Sequence, residues 1–177
     1  MASQEGAAGQ RAGLPTGYVG DQVCSECHVG PSGTYAATTH ARVFAQPRTP
    51  REQQGCEACH GPGEQHASDP REETSILRFG PKSRAPIEDQ NAACLQCHEK
   101  GIRVTWQLGP HASREIACVN CHKVMETLSA KNLFAKATEM EVCFQCHLQR
   151  RAQLRRSSHM PFREQKMTCT SCHNPHG

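Results

Sequence analysis

Apolar positions are thinly spread along this chain. Nowhere do 18 or more run together, so no segment reads as a membrane-spanning helix. Mean hydropathy is −0.66, and only 36% of the 177 residues are apolar even with the 12 cysteines counted among them. Fourteen glycines and 11 prolines push such a composition toward loops rather than a packed core. The pattern predicts short helices, long irregular connections and almost no sheet. The clearest helix covers about 139–156. Thr138-Glu139-Met140-Glu141 forms a capping box at its start, and neither Gly nor Pro intervenes before Pro161. A second helix is expected over 34–45, presenting His40, and residues 123–142 lean helical. Asp21 is placed to cap a turn carrying residues 24–28. Residues 67–89, with Pro70, Pro81, Pro86 and mixed charge, read as loop.

What organises so polar a chain is its cysteines. All 12 fall in six copies of Cys-x-x-Cys-His. The first three begin at Cys24, Cys56 and Cys94, and their second cysteines and histidines are Cys27-His28, Cys59-His60 and Cys97-His98. The last three begin at Cys118, Cys143 and Cys169 and end in Cys121-His122, Cys146-His147 and Cys172-His173. This pentapeptide is the attachment signal for c-type haem. On a helical turn, residues i, i+3 and i+4 share one face. The two sulfurs can form thioethers to one porphyrin while the histidine reaches its iron from the same side. Disulfides would not need a histidine after every second cysteine, and neither would a zinc ribbon. Six covalent haems leave about 30 residues for each. The polypeptide is then a wrapper around a haem chain, expected to unfold without it, as small metal-dependent domains do.

The motifs fall into three pairs, with cysteine intervals of 32, 24 and 26 residues within pairs. The first motif of each pair is followed by a lone histidine at nearly constant distance: His28 to His40 is 12, His98 to His111 is 13 and His147 to His159 is 12. We read residues 1–17 as a flexible N-terminus and 18–177 as one hexahaem domain, with two-haem modules at about 18–66, 90–125 and 139–177. Six-coordinate irons need a second axial ligand each. Five histidines lie outside the motifs, namely His40, His66, His111, His159 and His176, and their repeated offsets make all five candidate distal ligands. One haem is left without a histidine. His176 lies three residues past His173, and Met125 holds the same position past His122. Met is an axial ligand of c-type iron that raises its potential, so Met125 is the candidate twelfth ligand. Lys123, another Met, a residue of a second chain, or an open site are the alternatives.

Haem also changes the charge. The polypeptide carries a formal +3. Each haem brings two propionates, so the loaded protein would sit near about −3 oxidised and about −9 reduced. Many of the 20 Lys and Arg then answer propionates, and a nucleic-acid role is a poor fit. Arg150, Arg151, Arg155 and Arg156 suit propionates, an acidic partner, or simply a solvated face. Residues 1–20 hold no apolar stretch of signal-peptide type, although c-type haem is attached outside the cytoplasm. The motifs favour a periplasmic, outer-membrane-associated or extracellular location.

Several strings go further. Tyr18-Val19-Gly20 precedes the first motif, the second continues as His60-Gly61-Pro62-Gly63 and ends in His66, and the last continues as Asn174-Pro175-His176-Gly177. Together these resemble the periplasmic decahaem cytochromes of porin–cytochrome conduits (the Mtr type) and their relatives serving dimethyl-sulfoxide reduction, here with six motifs. The resemblance implies bis-His haems in a near-linear wire, with His40, His66, His111, His159 and His176 as distal ligands. It implies donor and acceptor cytochromes or a quinol dehydrogenase as partners, and an outer-membrane porin. Conduit, shuttle and filament subunit all fit. The competing reading is an enzyme that reduces a small nitrogen or oxygen species at one open-site haem.

Overall fold

The computed structural model describes residues 16–129, 131–156 and 160–177. Residues 1–15 of the expected flexible N-terminus, and His159, lie outside the described residues. Nine short α-helices are found among the described residues. The first module holds α1 (Asp21–Cys27), α2 (Val29–Ala36), α3 (Thr39–Phe44), α4 (Glu57–His60) and α5 (Glu64–Ser68). The second holds α6 (Ile87–His98) and α7 (Cys118–Cys121), and the third holds α8 (Glu139–Cys143) and α9 (Leu148–Leu154). Three 3-10 turns lie between α6 and α7, one precedes α4 and one follows α9. No strand occurs among the described residues, and the one β feature there is an isolated bridge between His122 and Phe134. Among the described residues no helix is long and apolar enough to cross a membrane.

The expected helices form, but in pieces. The stretch 34–45 breaks at Ala37–Thr38. Thr38 is fully buried and caps α3 by accepting from the Ala41 N–H at 3.2 Å, which fixes the helix that carries His40. The stretch 139–156 starts as expected. Glu141 N–H donates to the Thr138 hydroxyl and Thr138 N–H to the Glu141 carboxylate at 3.0 Å, completing the capping box. It then breaks after Cys143, because His147 adopts φ −87°, ψ 52° and leaves the helical path before α9 begins. His28 does the same between α1 and α2, at φ −98°, ψ 49°. At these two motifs the histidine leaves the helical path, which propensity does not register, whereas α6 runs unbroken through the third motif to His98. Residues 123–129 and 131–138 are not helical, and helix starts at Glu139. The 67–89 stretch is largely loop, though its ends belong to α5 and α6.

Apolar burial is slight. Ala58, Trp106, Ala117 and Val142 are the buried hydrophobic residues among those described. The modules are instead pinned by polar side chains that reach from one motif to the next. Asp21 lies three residues before the first cysteine of its module and accepts from Cys56 N–H at 2.7 Å. It therefore caps the second motif, not its own turn, which is a correction to the sequence expectation. Asn91 lies three before Cys94 and accepts from Cys118 N–H at 2.8 Å, while its amide donates to Ile116 C=O. Glu139, four before Cys143, accepts from Thr170 N–H at 2.9 Å. Each module thus ties its two motifs together by the same device. Gly55 belongs to this joint: its φ is +56°, and a Cβ there would collide with the Asp21 carboxylate.

The deepest clamp is Glu57, 1% exposed. Its carboxylate accepts from Val19 N–H (2.9 Å), Gly20 N–H (2.8 Å) and Gly63 N–H (2.7 Å). It holds the entry to the first motif against the exit from the second. Glu57→Ala leaves three backbone donors without a partner. It should destabilise the fold by on the order of 3 kcal/mol, read as a lowered denaturation midpoint, while Glu57→Gln should lose less.

Candidate haem-binding site

Within each module the first cysteines of the two motifs influence each other. Cys56 holds the Cys24 thiol below the ordinary range, and Cys24 pushes the Cys56 thiol above it. Cys94 and Cys118 repeat this in the second module, with Cys94 pushed up and Cys118 held down. Cys143 meets Cys169 in the third, and burial foremost raises the Cys143 thiol to about 12. Burial foremost raises the Cys59 and Cys121 thiols, with Cys97 and Cys146 of the following modules adding to it. Glu139, Cys143 and Cys169 cluster closely enough to suggest a metal site. Both thiols belong to motifs, however, and the Glu139 oxygens already accept from Thr168 and Thr170.

The histidines come together in facing pairs. His28 and His66 lie with ring centres 6.1 Å apart, His40 and His98 5.9 Å, His111 and His147 6.2 Å, and His122 and His176 6.2 Å. Two imidazoles on opposite sides of one iron need about 2 Å from iron to each nitrogen and about 1 Å more to each ring centre, roughly 6 Å in all. Each pair combines one motif histidine with one of the histidines outside the motifs. The residues present fit the group.

Tautomer and protonation agree with this geometry. Nδ1 of His60 lies 2.8 Å from Leu77 C=O, that of His111 2.8 Å from Pro175 C=O and that of His122 2.7 Å from Asn132 C=O. A ring whose Nδ1–H donates to a carbonyl presents the Nε2 lone pair to a metal. Burial pushes His40, His60, His98 and His176 below the ordinary imidazole range, which keeps them in the neutral form that ligates. His40, His66 and His176 bury an Nδ1 with no protein partner.

The pairing runs across modules. His40 of the first module faces His98 of the second, and His111 of the second faces His147 of the third. His176, at the end of the third, reaches back to His122 in the second. His66 faces His28 within the first. Two motif histidines, His60 and His173, have no histidine ring facing them among the described residues. His60 instead meets the edge of Phe79 at 5.2 Å. The carbonyls of Leu77, Asn132 and Pro175 escape a sequence reading, since backbone oxygens carry no residue signature. Asp21 and Asn91 were legible only as a shared offset before the first cysteine.

Two family descriptions match in overlapping stretches: residues 56–137 match cytochrome c-type protein NrfB-like, and residues 110–177 match cytochrome c3. The chain belongs to the multihaem c-type cytochromes. It is also similar to the multiheme cytochrome MtrA of Shewanella baltica (strain OS185), 40% identical over 122 residues, which is 69% of this chain and 35% of that protein. The chain thus aligns with about a third of the relative's length. The helical fold, without strands among the described residues, and the facing imidazoles suit a cytochrome that carries c-type haem.

The cross-module pairing of this cytochrome is open to test. We predict that His40→Met places a sulfur ligand on the haem of the third motif. The far-red sulfur-to-iron absorbance that this substitution adds over the parent protein should survive replacement of Cys24 and Cys27 by Ser and disappear on replacement of Cys94 and Cys97. The opposite outcome would show that His40 serves its own module.

Proposed function

We propose that this cytochrome binds six haems, one at each motif, and passes electrons along them in chain order. Haem supplies an iron that changes oxidation state without making or breaking bonds to a substrate. The residues of the chain do the rest. The observation that carries the reading is the way each motif is tied to the next. Asp21, Asn91 and Glu139 join the two motifs of each module through Cys56 N–H, Cys118 N–H and Thr170 N–H. His40 of the first module faces His98 of the second, and His111 of the second faces His147 of the third. Ties within and between modules follow one another along the chain, as an unbranched wire requires.

In this reading His28, His60, His98, His122, His147 and His173 are the proximal ligands. His66, His40, His176 and His111 are the distal ligands opposite His28, His98, His122 and His147, with His159 and Met125 completing the set. Iron held between two imidazoles offers no position to a substrate, so these residues favour a carrier over a catalyst. The modules at about 18–66, 90–125 and 139–177 each contribute two attachment sites. The similarity to MtrA supports a place in the bacterial cell envelope, periplasmic or at the outer membrane. Redox proteins as donor and acceptor, and a porin as scaffold, follow from the same similarity.

Intact mass of the purified holoprotein tests the count: six covalent haems are expected, and fewer would refute the hexahaem reading. Asn91→Leu removes the tie between the third and fourth motifs. It should slow electron equilibration between the two halves at least several-fold in a stopped-flow reduction while leaving six haems attached.

A further inference from the structure

We infer that Met125 is the distal ligand of the iron held by Cys56, Cys59 and His60, one module upstream of its own position in the chain. This rests on the reading that each motif binds a haem. It adds which iron the methionine serves.

The register carries it. His176 lies three residues past the second motif of the third module, yet its ring faces His122, the second-motif histidine of the second module. Met125 lies three residues past the second motif of the second module. One module step upstream from there is His60. That histidine meets Phe79 and no histidine ring among the described residues. Its Nδ1 is committed to Leu77 C=O, leaving Nε2 for iron.

The third module shows how such a tail is seated. It lies on the segment that follows the third motif. Asn174 donates to Ile102 C=O, His111 Nδ1 meets Pro175 C=O, and the Trp106 ring centre is 6.2 Å from that of His176. Trp106 stands five residues before the lone histidine His111, and Tyr35 stands five before His40, so the first module carries an aromatic residue at the same register. The rival donor Lys123 is engaged elsewhere, its ammonium 2.8 Å from the Glu126 carboxylate. Met125 itself is half-buried.

A thioether in place of imidazole raises the potential of its haem, so the second position of the wire would hold its electron more tightly than its bis-His neighbours. The holoprotein tests this. Oxidised wild type should show the far-red sulfur-to-iron band. Met125→Leu should lose the band and convert one haem to a high-spin signal, and Met125→His should lose the band yet stay low-spin. A band absent from wild type, or unchanged in Met125→Leu, overturns the proposal. A measurement without any variant places the ligand. In reduced protein labelled with 13C-methyl methionine, the ring-shifted methyl should show through-space contacts to the thioether protons of Cys56 and Cys59. Contacts to Cys118 and Cys121, or to Cys169 and Cys172, would overturn the crossing between modules. The haem count is independent: six haems with no sulfur ligand sinks this inference and spares the wire, whereas fewer than six sinks the wire.

Discussion

Two imidazoles must face each other across the width of one iron, and in this chain the two rarely come from the same module. That constraint shapes the rest. Because His40 faces His98 and His111 faces His147, the first module cannot place its lone histidine without the second, nor the second without the third. Because His176 faces His122, the third module also reaches back. The modules interlock in both directions, and haem attachment, chain path and module order become one problem. A fold made this way does not require its modules to be stable singly, as in other repeat architectures whose units bury their faces only against neighbours.

The slight apolar core follows from the same constraint. Four buried hydrophobic side chains among the described residues are too few to hold a chain of this length against its conformational entropy. Porphyrin supplies the missing apolar surface, and the protein's own task is to aim ligands. Hydrogen bonding suits that task better than packing does, because it is directional. Asp21, Asn91 and Glu139 each carry one motif to its neighbour, and Glu57 gathers three backbone donors around the second motif. These bonds set where one motif lies relative to the next.

Much of the site was legible in the sequence, and the limits have physical causes. The attachment motifs, the count of candidate ligands and the three-fold repeat all follow from spacing, since covalent attachment fixes residue types at fixed offsets. The pairing was not legible, because spacing along the chain says nothing about which module a ligand faces, and here it faces the next or the previous one. Helix lengths were overestimated at 34–45 and 139–156 for a related reason. Propensity and capping gave the start at Thr138 correctly. The break at His147 comes from the dihedral that swings a ligand out of the helical path, a requirement of the site and not of the local sequence. The loop at 67–89 looked like a linker, but Leu77 closes on His60 from both sides, its N–H on the His60 carbonyl and its own carbonyl on Nδ1. The stretch 123–142 leaned helical, but its described residues before Glu139 are not helical, and the Asn132 carbonyl reaches His122 instead.

The first module shows a second way to supply a ligand. His66 lies six residues past His60 rather than three, and it faces His28 of its own module. The Gly61-Pro62-Gly63 stretch makes this possible: Gly61 sits at φ +79° and Gly63 donates to Glu57, so the chain turns sharply and α5 brings His66 back. The ligand of the first motif is local where the others are distant, and the cost is a glycine-rich turn with a buried carboxylate beneath it. That turn has no counterpart after His122 or His173, where Lys123-Val124-Met125 and Asn174-Pro175-His176 run directly on. A local ligand and a reaching tail are thus two solutions to one requirement, and the glycine-rich turn after His60 is what separates them.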